Sequence, residues 1–439
     1  MSIYAIKTLG CKVNQFETEA IGLALEQYGW LKAGKNQPAD LCIINTCTVT
    51  GKASIQSRQA IKTIIKKNPE AKIIVTGCYA QTEADEIKKI EGVHSIISHS
   101  EKHKIPGMIV TESGVPTISM DCNTSCSATE FEAIDIDVHG NRTRPFLKIQ
   151  DGCNAFCTYC IVPHTRGRSR SMSPDLVLER LWALNEIGYK EIVLTGIHIG
   201  HWGADLSPAH DFTKLLKRIE TENPVQRIRL SSIEPFEISD ELIELFGASK
   251  LFCNHFHIPL QSGDDTILKR MHRPYTGAFF KQRVEKIYNT IPDVSIGADT
   301  LIGFPGETDD EFENTYNLIK ELPLAYLHVF PFSPRKGTPA ASFKDQVTDT
   351  LKKERTEKMR QLGELKQAAF VNSQIGKTAD VLIENERDKQ TGNLKGLSSN
   401  YVTIQTTGTD SLKKSIVKVA IDTISEGIIS GQVISGKNK

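Results

Sequence analysis

The chain has 439 residues, of which 39% are hydrophobic and 24% charged, and its 53 basic side chains balance 53 acidic ones. This length and composition are typical of a globular protein of two to four domains, and a net charge of zero neither requires nor excludes a nucleic-acid partner. No apolar run approaches ~18 residues and the first residues form no charged or long apolar leader, so we expect no membrane span and no signal peptide. Ten cysteines in a chain expected to be cytoplasmic favour metal binding or catalysis over a disulfide framework.

The first hundred residues alternate predicted strands with amphipathic helices. Apolar residues at helical spacing run from Glu17 to Tyr28 and from Lys52 to Lys67. Strand and helix in alternation predict an α/β domain with a doubly wound parallel sheet. The predicted strands are Tyr4–Leu9, Leu41–Asn45 and Lys72–Thr76.

One cysteine follows each of these strands, namely Cys11, Cys47 and Cys78. Because the C-terminal ends of parallel strands lie along one edge of a sheet, the three can converge and hold a shared metal or cluster with one open position. The alternative is that each is a small buried apolar residue, as free cysteines often are. The repetition after three strands favours the shared site.

A second group of cysteines has the spacing CxxxCxxC in one short loop, with Cys153, Cys157 and Cys160 as its members. Three thiolates on such a loop suit a cubane 4Fe–4S cluster, which then has one iron without a protein ligand. Structural zinc sites and electron carriers use four protein ligands. The loop therefore predicts an enzyme whose cluster binds something else.

The segment from Arg142 onward predicts a partial (β/α) barrel. Strand and helix alternate six times over about 190 residues, and the cysteine loop directly follows the first strand, at the end where such barrels carry their chemistry. The predicted barrel strands are Pro145–Gln150, Glu191–Ile199, Arg227–Ile233, Phe256–Leu260, Val294–Ile302 and Tyr326–Phe332.

These patterns divide the chain into an N-terminal domain over residues 1–115, a linker over 116–141, the barrel over 142–373 and a C-terminal domain over 374–437. The linker contains Cys122 and Cys126, to which the sequence assigns no role. Short strands separated by turns predict a small antiparallel β-barrel at the C-terminus. Its predicted strands are Thr378–Glu384, Asn400–Thr406, Ile416–Ile421 and Gly431–Ile434.

Further motifs surround Cys11 and follow the second cysteine group: Lys7-Thr-Leu-Gly-Cys11-Lys-Val-Asn-Gln15, His257-Ile-Pro-Leu-Gln-Ser-Gly263, Ile302-Gly-Phe-Pro-Gly-Glu-Thr308 and Phe332-Ser-Pro-Arg-Lys-Gly-Thr-Pro339. In this order, and over nearly the whole chain, they resemble the radical S-adenosylmethionine (SAM) methylthiotransferases. The resemblance implies an N-terminal methylthiotransferase domain, a radical SAM barrel and a C-terminal TRAM barrel. The form Gly-Cys-Lys-Val-Asn-Gln looks most like enzymes that act on N6-threonylcarbamoyladenosine at position 37 of tRNA.

The resemblance also implies two 4Fe–4S clusters and SAM as both methyl donor and radical source. Cys153, Cys157 and Cys160 would hold the radical SAM cluster, and Cys11, Cys47 and Cys78 the auxiliary cluster that carries the sulfur. Residues at the predicted strand ends are the candidates for binding SAM, since glycines there allow close backbone approach and polar side chains can bind its ribose and amino acid. They are Gly196, His198, Ser232, Glu234, Gln261, Gly303 and Arg335.

The implied partner is the anticodon stem-loop of a tRNA, whose target adenine would be unstacked to reach the barrel interior. Basic residues near the cysteine loop are the predicted phosphate contacts: Arg142, Arg144, Arg166, Arg168 and Arg170. An external low-potential electron donor such as flavodoxin or ferredoxin would be needed. We expect a monomer without membrane association.

Three alternatives remain at this stage. The same chemistry could act on isopentenyladenosine in tRNA or on ribosomal protein S12, although those enzymes usually carry methionine in place of Val13 or a Gly-Cys-Pro-Lys-Asn motif. A two-cluster electron-transfer protein is the alternative from another class. Its clusters would be fully ligated, which disagrees with six cysteines divided into two groups of three.

Overall fold

In the computed structural model, the residues described are 1–111, 130–132, 142–425 and 427–434. Cys122, Cys126 and most of the predicted linker lie outside these ranges. Across the described ranges, no helix combines the length and the apolar character needed to cross a bilayer.

The N-terminal domain is a five-stranded parallel sheet in the order β2-β1-β3-β4-β5. Alternate residues of β3 enter separate apolar clusters, with Cys42 and Ile44 packing towards α2 and Leu41 and Ile43 towards α1, so helices cover both faces as predicted. Its elements are β1 (Ile3–Thr8), α1 (Lys12–Gln27), β2 (Leu31–Lys32), β3 (Leu41–Thr46), α2 (Gly51–Lys67), β4 (Lys72–Gly77), α3 (Cys78–Thr82), α4 (Ala84–Lys88), β5 (Ser95–Ile96) and α5 (Ile105–Thr111).

Helix α1 begins at Lys12, five residues before the predicted start, and Cys11 is its N-terminal cap residue. The predicted start is wrong because the apolar face of the helix extends further towards its N-terminus, where Val13 and Phe16 are also buried. The earlier start places Cys11 directly between the first strand and its helix, which fixes where its side chain lies.

The central domain is a partial barrel of six parallel strands in two hydrogen-bonded sheets, β6-β9-β10 and β11-β12-β13. Parallel bridges from Ile228 to Phe252 and from Ser232 to His257 join the two sheets. The six barrel strands are β6 (Phe146–Lys148), β9 (Glu191–Thr195), β10 (Arg227–Leu230), β11 (His255–Gln261), β12 (Ser295–Ile302) and β13 (Tyr326–Pro331). A separate short pair is formed by β7 (Gln150–Asp151) and β8 (Arg170–Ser171).

Side-chain caps fix where most barrel helices begin, because a Ser, Thr or Asp accepts a hydrogen bond from a free backbone N–H of the first turn. Ser173 caps α7, Asp211 caps α8 and Thr308 caps α12, where Glu311 completes a capping box. The helices are α6 (Val162–Arg166), α7 (Pro174–Glu186), α8 (Phe212–Glu222), α9 (Asp240–Ala248), α10 (Asp265–Arg270), α11 (Gly277–Thr290), α12 (Asp309–Glu321) and α13 (Asp349–Asn372).

Three of the predicted barrel strands extend two or more residues beyond the observed ends. The first ends at Lys148, and Gln150–Asp151 forms a separate antiparallel pair with Arg170–Ser171. The second ends at Thr195 rather than Ile199, and a turn of 3-10 helix follows at Ile199–His201. The third ends at Leu230 rather than Ile233. Each change shortens a strand at its C-terminal end, where the chain turns towards the site.

The C-terminal domain is a closed barrel in the order β14-β15-β16-β18-β17. Its pairings are antiparallel, as expected for the predicted small barrel, except that β16 and β18 are parallel. The sequence also missed β15. The strands are β14 (Thr378–Ile383), β15 (Leu394–Ser398), β16 (Thr403–Thr406), β17 (Ile416–Ser425) and β18 (Ile428–Val433).

Candidate active site

Cys11, Cys47 and Cys78 line one cavity of ≈ 580 Å³ that extends into the barrel. Cys47 and Cys78 directly follow the ends of β3 and β4, and Cys11 lies three residues after the end of β1. Gly77, before Cys78, has φ +94°, and a Cβ there would lie 2.4 Å from the carbonyl oxygen of Thr46. Glycine is therefore required where β4 passes β3 and delivers the third cysteine.

The donor set of this triad fits a thiolate-bound cluster. The three side chains are free thiols, and burial, together with the neighbouring Cys78, raises the pKa of Cys47 to about 12. Burial likewise raises the pKa of Cys11, an effect that the nearby Arg166 opposes. Crowded thiols of this kind bind protons tightly until a metal displaces them, and three sulfurs leave one cluster iron open.

A buried ionic network lies beneath the triad and joins the N-terminal domain to the barrel. Arg166 Nη1 lies 3.3 Å from Glu17 Oε1 and 2.9 Å from Asp151 Oδ1, and its Nη2 donates to Asn14. Lys102 also pairs with Glu17, and Lys148 bridges both carboxylates. Arg170 Nη2 also lies 3.8 Å from Asp151 Oδ2, so two carboxylates face four cations, and the surplus positive charge next to the thiols favours thiolates.

Cys153, Cys157 and Cys160 lie in the loop between β7 and α6. Gly152, at φ +72°, begins this loop, and a Cβ there would lie 1.9 Å from the carbonyl oxygen of Arg168. The loop is closed by hydrogen bonds from Cys153 N to the Gly167 oxygen and from Cys160 N to the Cys157 oxygen, at 3.0 and 2.9 Å. The backbone thus folds tightly around the second triad.

Several nitrogen donors point at sulfurs of the second triad. Arg273 Nη1 lies 3.4 Å from Cys157 Sγ, while His198 Nδ1 and the Ala155 N–H each lie 3.4 Å from Cys153 Sγ. Burial and the neighbouring Cys157 raise the pKa of Cys160 to about 12. Hydrogen bonds to sulfur stabilise cluster thiolates and tune their potential, so this donor set also fits a cluster.

The predicted SAM contacts separate into those near the second triad and those at the cavity wall. His198 contacts Cys153, and its Nε2 lies 2.7 Å from Glu237 Oε1. Burial lowers the pKa of His198, but Cys153 and Glu237 outweigh it and raise that pKa to about 10. Glu234 pairs with Arg273, which places it beside Cys157. Gly196 and Ser232 line the cavity.

The remaining SAM candidates have other neighbours. Gln261 ends β11 with φ +64°, at an irregularity of the β11–β12 pairing. Gly303 packs against Lys352, since a Cβ there would lie 2.2 Å from Lys352 Cγ, so helix α13 rather than a ligand explains this glycine. Arg335 Nη1 lies 2.9 Å from Ser54 Oγ and borders a separate cavity of ≈ 400 Å³.

Sequence reasoning missed a cluster of three side chains on the cavity wall. His257 Nε2 and His328 Nδ1 lie 3.1 and 3.2 Å from Asp299 Oδ1, and Ser232 Oγ lies 2.7 Å from His257 Nδ1. Burial raises the pKa of Asp299, but its hydrogen bonds to the two histidines lower it to about 2. Alternation along β11, β12 and β13, which sends every second side chain to the interior, was the available signal.

The predicted RNA-contact arginines differ in accessibility. Arg166 and Arg170 are 1% and 5% exposed, so their side chains belong to the protein interior and the prediction of phosphate contacts for them is wrong. Arg168, between them, is exposed. Arg142 pairs with Glu19 and Arg144 with Glu384.

Arg142 and Arg144 line a cleft of ≈ 320 Å³ where the three domains meet. The cleft has further basic groups, of which Arg229 holds Glu191 at 2.7 Å and donates to the carbonyl oxygens of Ser398 and Ser399 in the C-terminal barrel. Lys12 and Tyr401 line both this cleft and the cysteine-lined cavity. The two spaces are therefore neighbours.

Comparison with known proteins gives consistent matches over nearly the whole chain. Residues 147–319 match the radical SAM superfamily, and residues 3–98 match the uncharacterized protein family UPF0004. The threonylcarbamoyladenosine tRNA methylthiotransferase MtaB of Bacillus subtilis is 41% identical over 96% of this chain and 94% of its own. The MtaB of Aquifex aeolicus is 33% identical over 95% of this chain and 99% of its own.

A relative with a different name and a solved structure complete the comparison. The tRNA-2-methylthio-N(6)-dimethylallyladenosine synthase of Pelotomaculum thermopropionicum is 33% identical over 96% of this chain and 95% of its own. The radical S-adenosylmethionine methyltransferase TsrM from Kitasatospora setae, solved with cobalamin and a [4Fe-4S] cluster, superposes with a TM-score of 0.58 at 15% identity, covering 78% of this chain and 77% of its own, and so shares the fold. Given the identity to full-length relatives, the chain belongs to the family of radical SAM tRNA methylthiotransferases.

Proposed function

We propose that this protein transfers a methylthio group to C2 of N6-threonylcarbamoyladenosine next to the anticodon of tRNA. The observation that carries the proposal is the relation of the two cysteine triads to one cavity. Cys11, Cys47 and Cys78 line it directly, while Val162, two residues after Cys160, and Gly196 line it from the side of the second triad. A base in this cavity would lie between the two sites that the chemistry requires.

The cysteines would hold the two 4Fe–4S clusters, which together with SAM supply the radical and the methylthio group. The protein's own residues bind, orient and exclude water. His198 contacts the sulfur of Cys153, and Arg273 contacts the sulfur of Cys157. Arg273 also pairs with Glu234, which together with Ser232 and Gly196 would bind SAM. The cavity adjoins the cleft at the domain junction through Lys12 and Tyr401, and the substrate would enter there.

The tRNA would lie across the cleft at the junction of the three domains. Arg142, Arg144 and Lys395 line this cleft, and Arg168 is exposed between α6 and β8. Their charges would contact phosphates and give salt-dependent affinity. The target base must leave its stack to pass Lys12 and Tyr401 into the cavity, as in other enzymes that act on the base itself.

The setting of the reaction follows from this proposal. A tRNA substrate places the protein in the cytoplasm, and reduction of the clusters needs an external low-potential donor of the flavodoxin or ferredoxin type. We expect the protein to act as a monomer. Light scattering of the reconstituted protein, alone and with a stem-loop RNA, tests this expectation.

Mass spectrometry of nucleosides from tRNA tests the function directly. Deletion of the gene should remove the methylthio form of threonylcarbamoyladenosine and leave its precursor. Wild-type protein and Cys253→Ala, which changes a buried cysteine outside both triads, should restore it, whereas Cys157→Ala should not. Loss of the methylthio form of isopentenyladenosine instead would refute the substrate assignment.

A further inference from the structure

Lys12 occupies the junction between the cysteine-lined cavity and the basic cleft. It is the first residue of α1 and directly follows Cys11. Among the described residues that line the cavity or the cleft, Lys12 and Tyr401 are the two that line both. Any base that moves from the cleft into the cavity passes this side chain.

The ammonium group of Lys12 has no counter-charge of its own. Within the described ranges it forms no hydrogen bond and no ion pair. Of the carboxylates that line the two spaces, Asp299 is engaged by His257 and His328, and Glu384 by Arg144. Neither of these nor Glu386, on the cleft wall, forms an ion pair with Lys12 within the described ranges. Arg229 lies 5.3 Å from the centre of the Tyr401 ring and adds positive charge to the same wall.

Helix stability does not explain a lysine at this position. The N-terminal turn of a helix carries partial positive charge, which favours acidic side chains and disfavours cations there. Helix α1 has no acidic residue in its first turn, and Cys11 provides no side-chain cap. The half-buried cation at the cavity mouth is thus better explained by a ligand than by the fold.

We propose that Lys12 binds the carboxylate of the threonylcarbamoyl group and so selects this substrate. The inference rests on the proposed function, in which the modified base carries that carboxylate as its anionic group. A base with an apolar N6 substituent would leave the ammonium group desolvated and unpaired, which is unfavourable. Specificity then comes from a cost imposed on the wrong base as well as a contact with the right one.

The position of Lys12 in the chain suits this role. Cys11 and Lys12 are consecutive residues, whose Cα atoms lie ~3.8 Å apart. A base whose N6 substituent reaches Lys12 would therefore lie in the cavity that the first triad lines, where C2 has to receive the methylthio group. Cys11, the cap residue of α1, would belong to the sulfur-carrying site, and Lys12, the first residue of α1, would be the recognition group.

Binding to stem-loop RNAs of defined chemistry tests the inference. Reconstituted protein is titrated with an anticodon stem-loop containing threonylcarbamoyladenosine and with the same RNA whose threonyl carboxylate is converted to a carboxamide. We expect wild-type protein to bind the carboxylate form about tenfold to a hundredfold more tightly, as for other hydrogen bonds to charged groups. Lys12→Gln should lose this preference and Lys12→Arg should keep it.

Two controls separate recognition from other effects. Lys395→Gln, on the wall of the cleft, should weaken both RNAs to the same extent, as a phosphate contact does. Iron content and the visible absorption spectrum of Lys12→Gln should match those of wild-type protein, which shows that the neighbouring cluster site is intact.

The outcomes separate the inference from the proposed function. If Lys12→Gln keeps the preference for the carboxylate form, or weakens both RNAs equally, the inference is wrong while methylthiolation of the RNA by wild-type protein still supports the function. If wild-type protein neither modifies the threonylcarbamoyl RNA nor prefers it over an unmodified stem-loop, the function and the inference are both overturned.

Discussion

Arg166→Met tests whether Arg166 is a structural residue of the domain junction. The side chain connects Asn14 and Glu17 of the N-terminal domain with Asp151 of the barrel. Methionine of similar length fills the space but removes every hydrogen bond. We expect the variant to unfold at a lower temperature, because it leaves buried polar atoms without partners.

The structure sets the size of this effect. Removing one partner of a buried ion pair costs about 3–5 kcal/mol, and the lower limit applies because Lys102 and Lys148 still neutralise Glu17, at its Oε2 and Oε1 atoms. A loss of about 3 kcal/mol in the free energy of unfolding corresponds to a fall of about 6–12 °C in Tm for a domain of this size.

Arg168→Met is the matched control for the same measurement. Arg168 lies two residues away and is exposed, so its replacement should change the free energy of unfolding by less than about 0.5 kcal/mol while weakening RNA binding. Differential scanning calorimetry and stem-loop titration of both variants give the comparison. The reasoning is refuted if Arg166→Met melts like wild-type protein and loses RNA affinity as Arg168→Met does.

Three further predictions concern the cysteine sites and the ionic network. Cys11→Ala should lower the iron content of reconstituted protein from about eight to about four per chain; an unchanged value would contradict the two-cluster arrangement. A non-glycine residue in a left-handed conformation costs about 1–2 kcal/mol of stability. Gly152→Ala should cost more than this, because its Cβ would collide with the backbone of Arg168, whereas Gly188→Ala, with φ +103° and open space around it, should cost only that amount. If chemical denaturation measures equal losses for the two variants, the collision is unimportant. Burial and the adjacent Lys102 lower the pKa of His99 to about 3. Between pH about 6.5 and about 3 this histidine is therefore protonated in the unfolded chain but not in the folded protein. The free energy of unfolding should fall as the pH drops through this window. His99→Gln should show a shallower fall in denaturation at several pH values, and an equal slope would rule His99 out as the cause.

Most of the fold could be predicted from the periodicity of apolar residues. The parallel N-terminal sheet and the six barrel strands appear in the predicted order, since runs of β-branched residues between helical stretches have few other solutions. The misses are local and have local reasons. Strand β15 contains Lys395 and Gly396 at its centre, which weakens the alternation that marks a strand, and the start of α1 was obscured by polar residues around Val13 and Phe16.

The candidate site divides in the same way between sequence and structure. Gly196, His198, Ser232 and Glu234 are at strand ends, a position that topology alone makes functional, and the structure places them near the triads or the cavity. Gly303 and Arg335 also follow strand ends, yet they contact Lys352 and Ser54. Strand position predicts which edge of the barrel a residue reaches, but not which neighbour packs on it.

The amino-acid sequence by itself determined the two cysteine triads, since a ligand loop depends on short spacing and three strand-end cysteines depend only on the order of elements. Tertiary structure alone decided the roles of the charged residues. Arg166 and Glu17 are 149 positions apart, and only packing of the two domains turns a basic motif residue into a buried partner of that carboxylate. Among the residues that the structure describes, the same packing leaves Lys12 without an ion-pair partner at the junction of cavity and cleft, because burial and pairing depend on elements that are distant along the chain.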